Sequence, residues 1–389
     1  MNILRQIWIV SALNLRNLPG RFWQSLVIVV GMACVVGVLL SMLSLSVGMH
    51  RAYITTGDPG RAVIVSQGAD SEGFSHITRA VAPIIETAPG IKKDLDGRPI
   101  ADRGVIMGVP ATKKRHNIDA YIFMRGFGPK GLVLRPDFKI VAGRVFQPGK
   151  RELIAGVGAQ GQFAGMNIGD HVVLPDGPWK VVGAFTSNRD ILEGEIVGDA
   201  DTLMSATSHK DYNSVIVRLA SPDSLDVLKR ALTSNPALSV SVDRQTDWYH
   251  KLNDQFYDFF TDVSYAVGAI LAAGALFCAL NTMYAAVSAR SREIATLRAI
   301  GYDALPVALS VLAEAMLLSV AGALIGAAIA WALYDGQQDS LGINVFYLTV
   351  SPAMVGIGIV WAAAIALLGG LLPSIQAARR PVADALRAT

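Results

Sequence analysis

Four long apolar segments dominate the distribution of hydrophobic and polar residues along the chain. They cover residues 24–47, 263–287, 304–333 and 352–375, and Glu314 is the only Asp, Glu, Lys or Arg within them. Each segment exceeds the roughly 20 residues that an α-helix needs to cross a hydrocarbon core of about 30 Å. The pattern therefore predicts four transmembrane helices.

The charged residues are concentrated outside these segments. They make up 17% of the 389 residues, whereas soluble proteins average about 25%. Outside the apolar segments the charged fraction returns to an ordinary soluble level, so the sequence predicts a membrane protein with a water-soluble domain. The net charge of +3 gives no reason to expect a nucleic acid partner.

The charges of the short segments between the apolar runs predict how the chain is oriented in the membrane. The segments 1–23, 288–303 and 376–389 are rich in arginine, whereas 334–351 contains two aspartates and no base. Positive charge in short loops marks the cytoplasmic side. We therefore expect both termini and the 288–303 connection in the cytoplasm, and a short loop at 334–351 and a large domain at 48–262 on the extracytoplasmic side.

The segment 48–262 alternates strand-like and helix-like patterns. Helices are expected at 75–88 and 222–233, and Gly156–Gln162 is expected to be a turn between strands. Strands are expected near 62–67, 101–109, 121–126, 138–146, 171–174, 179–185, 213–219 and 238–243. The fold class is thus an α-helical membrane protein with four transmembrane helices and an α+β domain between spans 1 and 2, with a β-rich insert at about 115–198.

An aromatic and aliphatic stripe precedes the second span. Trp248, Leu252, Phe256 and Phe259 recur at helical spacing within residues 246–262. With no helix breaker before the span, this segment predicts a stalk helix that continues into the membrane. We favour packing of the stripe against the extended end of span 1, with subunit–subunit packing and ligand contact as alternatives.

Catalytic and metal-binding patterns do not stand out in this sequence. No Gly-rich stretch is followed by the Lys-Ser/Thr pair of a nucleotide-binding loop. The six histidines lack metal-ligand spacing, so we predict neither a catalytic residue nor a metal or cofactor in this chain. For Glu314, a hydrogen-bonded or protonated structural role is favoured over proton coupling, because no second ionisable partner lies in the spans.

The cytoplasmic connection has the signature of a short, well-bounded helix. Ser291 can cap its start, and Gly301 can take the left-handed conformation at its end. By itself this pattern fits equally a helix lying on lipid headgroups and a helix that docks a cytoplasmic protein. The segment 1–23 is expected to form a cytoplasmic interfacial helix.

The order of these elements and two motifs resemble the MacB/FtsX-like permeases of ABC transporters. The motifs are Arg292-Glu-Ile-x-x-Leu-Arg-Ala-Ile-Gly301 and the tail Pro373-Ser-x-x-Ala-Ala-Arg followed by Pro381-Val-x-x-Ala-Leu-Arg387. The resemblance implies a coupling helix that docks on an ATPase, formed by Arg290, Arg292, Glu293, Leu297, Arg298 and Gly301. It also implies a porter-like module bearing the β-rich insert.

Because no nucleotide-binding motif stands out in these 389 residues, the resemblance implies a separate ABC ATPase dimer that binds ATP and magnesium, as in DevC-type and lipoprotein-releasing members. It also implies a bacterial inner-membrane location, with the 48–262 domain and the 334–351 loop in the periplasm. It further implies a second permease copy, either identical or related, and leaves open whether a periplasmic adaptor and an outer-membrane channel take part. The expected function is a permease subunit of an ABC exporter working by mechanotransmission. The alternative is an FtsX-like signalling subunit that regulates a periplasmic partner without transport.

Overall fold

The computed structural model describes residues 22–115, 117–235, 238–289, 296, 299–300, 303–341 and 344–379. The chain divides into two compact units. The membrane unit comprises residues 1–46, 259–335 and 349–389, and the extracytoplasmic unit comprises residues 47–258 and 336–348.

The described segments contain helices of very different lengths. In chain order the α-helices are α1 (Phe22–Thr56), α2 (Ala82–Glu86), α3 (Val157–Gln162), α4 (Ala200–Ala206), α5 (Ser224–Thr233), α6 (Gln245–Ala289), α7 (Ala304–Tyr334) and α8 (Pro352–Arg379). Short 3-10 helices span Glu72–Phe74 and Ile191–Gly194. Helices α1, α6, α7 and α8 are long and apolar enough to cross a membrane, which confirms the predicted four-helix membrane architecture.

Close backbone packing joins helices within the membrane unit. At Gly322 and Gly326 of α7, a side-chain Cβ would overlap the carbonyl oxygens of Val29 and Ala33 in α1. Small residues at four-residue spacing allow such an approach between membrane helices. The spacing of these glycines in the sequence thus reflects a real helix–helix contact.

The extracytoplasmic unit is built on one continuous mixed sheet. Its strands are β1 (Arg61–Ser66), β2 (Ala101–Thr112), β3 (Asp119–Phe127), β4 (Lys139–Gly143), β5 (Glu152–Gly156), β6 (His171–Leu174), β7 (Gly177–Thr186), β8 (Ile196–Asp199), β9 (Ser214–Arg218) and β10 (Val240–Arg244). They lie in the order β10-β1-β9-β2-β3-β8-β5-β7-β4, and β6 pairs with β7. The pairs β3–β8 and β5–β7 are parallel, whereas the other pairs are antiparallel.

Strand β2 connects the two halves of this sheet. Its residues 101–104 pair with β9, and its residues 105–112 pair with β3. One hydrophobic core, around Ile64, Val215 and Leu228, covers the first half. Cores around Trp179 and Phe185 cover the second half, which contains the segment predicted as the β-rich insert.

The expectation of a helix over 75–88 was wrong in its first part. Ile77 exchanges backbone hydrogen bonds of 2.7 and 2.8 Å with Tyr212, so the chain around Ile77 is not helical, and α2 begins only at Ala82, after a turn at residues 79–81. The expected turn at Gly156–Gln162 was also wrong, because residues 157–162 form α3. Ala159 of α3 is fully buried in the insert core, and this burial offsets the low helix propensity of the glycines.

The loop between the last two membrane helices contains a β-hairpin that the sequence analysis did not predict. Strands β11 (Gln338–Leu341) and β12 (Asn344–Tyr347) pair antiparallel. This hairpin belongs to the extracytoplasmic unit and packs against α3 and the 3-10 helix Ile191–Gly194. The loop is therefore an integral part of the extracytoplasmic fold.

Candidate functional site

The predicted ATPase-docking residues lie outside the described part of the chain. They are Arg290, Arg292, Glu293, Leu297, Arg298 and Gly301, and their role stays a prediction. Glu314 lies in α7 and is buried, with 6% of its surface exposed.

The predicted stalk stripe lies on α6, which runs without interruption from Gln245 to Ala289. Trp248 is buried, Leu252 is half-buried and Phe259 is 61% exposed, whereas the Phe256 side chain lies outside the described residues. The stripe therefore differs in burial along its length. The adjacent Tyr249, which the apolar pattern did not identify, is buried and makes polar contacts deep in the domain.

The start of α6 contacts the last turns of α1 through polar and aromatic side chains. His50 Nδ1 and Asn253 Nδ2 lie 2.7 Å apart. The rings of His50 and Tyr257 have centroids 4.7 Å apart, and those of Tyr53 and Tyr249 lie 6.4 Å apart. These contacts position the Tyr249 hydroxyl towards the sheet.

A single loop of the insert meets several of these elements. We call residues 186–195, from the last residue of β7 to the residue before β8, the junction loop. Its residues Asn188 and Arg189 both have left-handed backbone conformations, with φ of 54° and 58°. Such conformations are uncommon for residues other than glycine, and for two in succession the surrounding hydrogen bonds must hold the chain in place.

The Glu193 carboxylate supplies those hydrogen bonds. Its Oε1 atom accepts from the Thr186 hydroxyl and from the backbone N–H groups of Ser187 and Arg189, at 2.8 and 2.9 Å for the two amides. Glu193 is 2% exposed. A buried carboxylate that accepts several hydrogen bonds fixes the conformation of the loop around it.

The junction loop is hydrogen-bonded to the end of α1. The backbone N–H of Ile191 donates to Thr56 Oγ1 at 3.2 Å, and that hydroxyl in turn donates to the Ala52 carbonyl at 2.7 Å. Beside this contact, Asp190 accepts from the Ser187 hydroxyl at 2.7 Å and from the Leu192 N–H at 2.9 Å. Asp190 thereby caps the 3-10 helix of the loop.

The same loop is hydrogen-bonded to the hairpin of β11 and β12. The Tyr347 hydroxyl donates to Glu193 Oε2 at 3.0 Å and accepts from Gln338 Nε2 at 2.8 Å. The Arg189 guanidinium lies 5.0 Å from the centroid of the Tyr347 ring. Burial and the neighbouring Glu193 raise the pKa of Tyr347 to about 12, so the hydroxyl keeps its proton and acts as a donor.

The third connection of the junction loop is a buried ion-pair cluster. Arg125 of β3 binds Glu195 in a bidentate manner, at 2.6 and 3.0 Å, and donates to Glu72 at 2.8 Å. Glu72 also accepts from the Ser214 hydroxyl at 3.1 Å and from the Tyr249 hydroxyl at 3.3 Å. Because Tyr249 lies on α6, the cluster connects the junction loop, the sheet and the stalk helix.

The electrostatics of this cluster favour its charged form. Burial alone would raise the pKa of Glu72, but the charge and hydrogen bonds of Arg125 outweigh it, and the net pKa lies below its usual value. Burial would lower the pKa of Arg125, yet Glu195 and Glu72 raise it well above its ordinary range. Burial and Glu72 raise the pKa of Tyr249, which keeps that hydroxyl a donor.

A small polar cavity of about 20 Å³ lies where these contacts converge. Thr56, Arg61, Asp190 and Tyr249 line it, and its volume suits a single water molecule. Burial and the nearby Arg135 charge lower the pKa of Arg61 to about 10. Burial raises the pKa of Asp190 to about 7, so this carboxyl can change its charge near neutral pH.

The contacts of the junction loop connect α1, the β11–β12 hairpin, the sheet and α6. Within the ranges that the structure describes, no group of three His, Cys, Asp or Glu side chains is placed to hold a metal ion. The sequence analysis missed the cluster because Arg125 and its partners Glu72 and Glu195 are separated by 53 and 70 residues. The local signal was the close spacing of three acids, Asp190, Glu193 and Glu195, directly after the strand-like residues 179–185.

Two family models match two successive parts of the chain. Residues 25–235 match the model of the MacB-like periplasmic core domain, and residues 265–382 match the FtsX-like permease C-terminal model. No curated protein matches the chain.

Two solved structures are similar to about half of this chain at low identity. One is the extracellular domain of the noncanonic ABC-type transporter YknZ from Gram-positive bacteria, with 17% identity, a TM-score of 0.36, and coverage of 47% of this chain and 99% of that one. The other is the periplasmic region of MacB from Actinobacillus actinomycetemcomitans, with 13% identity, a TM-score of 0.37, and coverage of 50% and 92%. With a family model matching more than half of its length, the chain belongs to the MacB/FtsX-like family of ABC transporter permeases.

Proposed function

We propose that this chain is the membrane subunit of an ABC exporter that works by mechanotransmission with a separate ATPase dimer. In this proposal both termini and the 288–303 connection lie in the cytoplasm, where ATP binding by the partner moves the coupling helix. The membrane helices transmit that movement to the extracytoplasmic unit. That unit then acts on a substrate in the periplasm or the outer leaflet, in an assembly with a second permease copy.

The observation that supports this proposal is the convergence of three chain segments on the junction loop. Thr56 at the end of α1, Tyr249 near the start of α6 and Tyr347 after α7 are each connected to it by buried hydrogen bonds or the ion-pair cluster. Helices α1, α6 and α7 each contain one of the predicted transmembrane segments. A movement of these helices would therefore reach the insert through buried, geometrically specific contacts.

The first experiment tests whether the chain binds a separate ATPase. The full-length chain, purified from membranes of its host, is expected to retain a chain with nucleotide-binding motifs. Arg298→Glu is expected to abolish this co-purification at unchanged membrane insertion, because it reverses a charge on the predicted coupling helix. Arg298→Lys, which keeps the charge, serves as the matched control. Retention of the ATPase by the Glu variant at wild-type levels would contradict the docking assignment.

The second experiment tests the transmission of movement. Hydrogen–deuterium exchange of the purified complex would be compared with and without ATP and vanadate. We expect the protection of residues 186–195 to change on trapping, and we expect Tyr347→Phe combined with Thr56→Val to suppress the change while ATP binding persists. Identical exchange in both states of the wild-type complex would exclude the proposed route. A nucleotide-dependent change without any transported substrate would instead support a signalling role.

A further inference from the structure

The hairpin formed by β2 and β3 ends in a tip that exposes apolar side chains beside basic ones. We call residues 113–121 the cationic tip. Ile118 and Tyr121 are apolar or aromatic, yet they are 54% and 57% exposed. Lys114 and Arg115 are exposed beside them. Exposed apolar side chains next to bases are typical of protein segments that lie in the membrane–water interface.

The tip has an excess of positive charge. Lys113, Lys114 and Arg115 face a single acid in the tip, Asp119. Lys113 and Lys114 donate to the backbone carbonyls of Ser340 and Gln160, at 2.9 and 2.6 Å, and these neutral acceptors leave the ammonium charges uncompensated. Positive charge near a membrane surface is attracted to anionic lipid headgroups.

The tip is connected, through the hairpin of β11 and β12, to the residue that directly follows the apolar run of α1. The apolar run of α1 ends at residue 47, and the backbone of the next residue, Gly48, approaches Tyr347 so closely that a Cβ would overlap the Tyr347 carbonyl oxygen. Tyr347 pairs across the hairpin with Gln338, two residues before Ser340.

The distance between Gly48 and the Lys113 ammonium can be derived from the spacing of residues in paired strands. Paired residues lie about 5 Å apart and successive residues about 3.4 Å apart. Since the Lys113 ammonium contacts Ser340, it lies within about 20 Å of Gly48. The backbone of the tip is tied to the same region, because the Lys114 N–H donates to the Gln162 carbonyl and Gln162 Nε2 donates to the Gln338 carbonyl, at 2.8 and 2.6 Å.

We propose that the cationic tip contacts the outer surface of the membrane, with Ile118 and Tyr121 in the interface and Lys114 and Arg115 on anionic phospholipid headgroups. This contact would give the insert a support on the lipid surface in addition to its protein contacts. It does not depend on which ATPase or substrate the chain works with.

Spin labels on the full-length chain test this contact. In a Cys34→Ala and Cys278→Ala background, a label at Ile118→Cys would be compared with one at Leu95→Cys, a fully exposed apolar position in a different turn. The chain would be reconstituted in nanodiscs of phosphatidylcholine alone or with one quarter phosphatidylglycerol. Collision with lipid-soluble oxygen and with a water-soluble nickel chelate reports the depth of each label.

We expect the oxygen-to-nickel ratio at position 118 to exceed that at position 95 several-fold in the anionic nanodiscs. Lys114→Glu with Arg115→Glu should lower it to the control value, because the reversed charges are repelled from the headgroups. Equal ratios at both positions in both lipids would overturn the proposal, as would a ratio at 118 that does not depend on anionic lipid. Shielding that appears only when a soluble protein is added would assign the tip to a protein partner instead.

Discussion

Tyr347, in the loop between the last two membrane helices, donates a hydrogen bond of 3.0 Å to the buried carboxylate of Glu193 in the insert. The other oxygen of that carboxylate holds the left-handed turn of the junction loop through the N–H groups of Ser187 and Arg189. Tyr347 thus joins the hairpin to the junction loop, which also contacts α1 and the ion-pair cluster. Altering Tyr347 should affect the junction without touching the sheet.

Tyr347→Phe removes only the hydroxyl, which donates to Glu193 and accepts from Gln338 Nε2. Because Glu193 is 2% exposed, Oε2 would lose a donor that water cannot easily replace, and we expect a cost of about 1–3 kcal/mol. Limited proteolysis of the purified full-length chain should show faster cleavage within the junction loop. Tyr334→Phe is the matched control, since no hydrogen bond of the Tyr334 hydroxyl occurs in the described residues. Equal proteolysis of both variants would argue against a stabilising role for the bond.

Removing one charge of the ion-pair cluster should cost much more stability than neutralising all three of its charges. Arg125→Met leaves Glu72 and Glu195 buried without their cation, and we expect it to cost about 3–5 kcal/mol. Adding Glu72→Gln and Glu195→Gln removes the uncompensated charges and should recover much of that loss. Thermal unfolding of the three proteins, followed by the signal of the extracytoplasmic unit, measures both effects. A triple variant no more stable than Arg125→Met would show that charge burial is not the reason for the loss.

The membrane architecture could be predicted from the sequence because it depends on local properties. A run such as 304–333 is long enough and apolar enough to span the bilayer whatever surrounds it. The close contact at Gly322 and Gly326 likewise depends on a local property, since both residues fall on one face of a single helix.

The junction could not be predicted because it depends on partners distant in the sequence. Arg125 is an ordinary strand residue until folding brings it against Glu72 and Glu195. The hairpin at 338–347 escaped detection because its strands have only four residues each and are stabilised by the insert rather than by their own pattern. The role of Tyr249 could not be predicted because it depends on a hydrogen bond to Glu72, which is 177 residues away in the sequence.

Asp190 predicts a pH dependence of stability. Burial raises its pKa from 3.8 to about 7, and the nearby Glu195 and Glu193 act in the same direction. Between about pH 4 and 7 the folded state therefore holds a proton that the unfolded state has released, so stability falls as pH rises, by up to about 1.4 kcal/mol per pH unit. Above pH 7 this contribution is constant.

Asp190→Asn should remove this dependence while its side-chain oxygen still accepts from the Leu192 N–H. Asp102, whose pKa burial raises to about 6, remains in the variant and keeps part of the slope below that pH. The difference between the proteins should therefore be clearest between pH 6 and 7, where the wild-type protein loses stability and the variant does not. Thermal unfolding at pH 5, 6, 7 and 8 measures this, and parallel curves for the two proteins would contradict the assignment.

The contact between α1 and the hairpin predicts a position-specific effect of adding one methyl group. At Gly48 a Cβ would overlap the Tyr347 carbonyl oxygen, whereas at Gly31 of the same helix nothing lies within 4 Å of the added atom. Gly48→Ala should therefore displace the hairpin, at a cost of about 1–3 kcal/mol for overpacking. Gly31→Ala should be neutral or slightly stabilising, because alanine is the better helix former. Hydrogen–deuterium exchange should show loss of protection in residues 338–347 for the first variant alone. Equal protection in both would mean that α1 does not support the hairpin at this point.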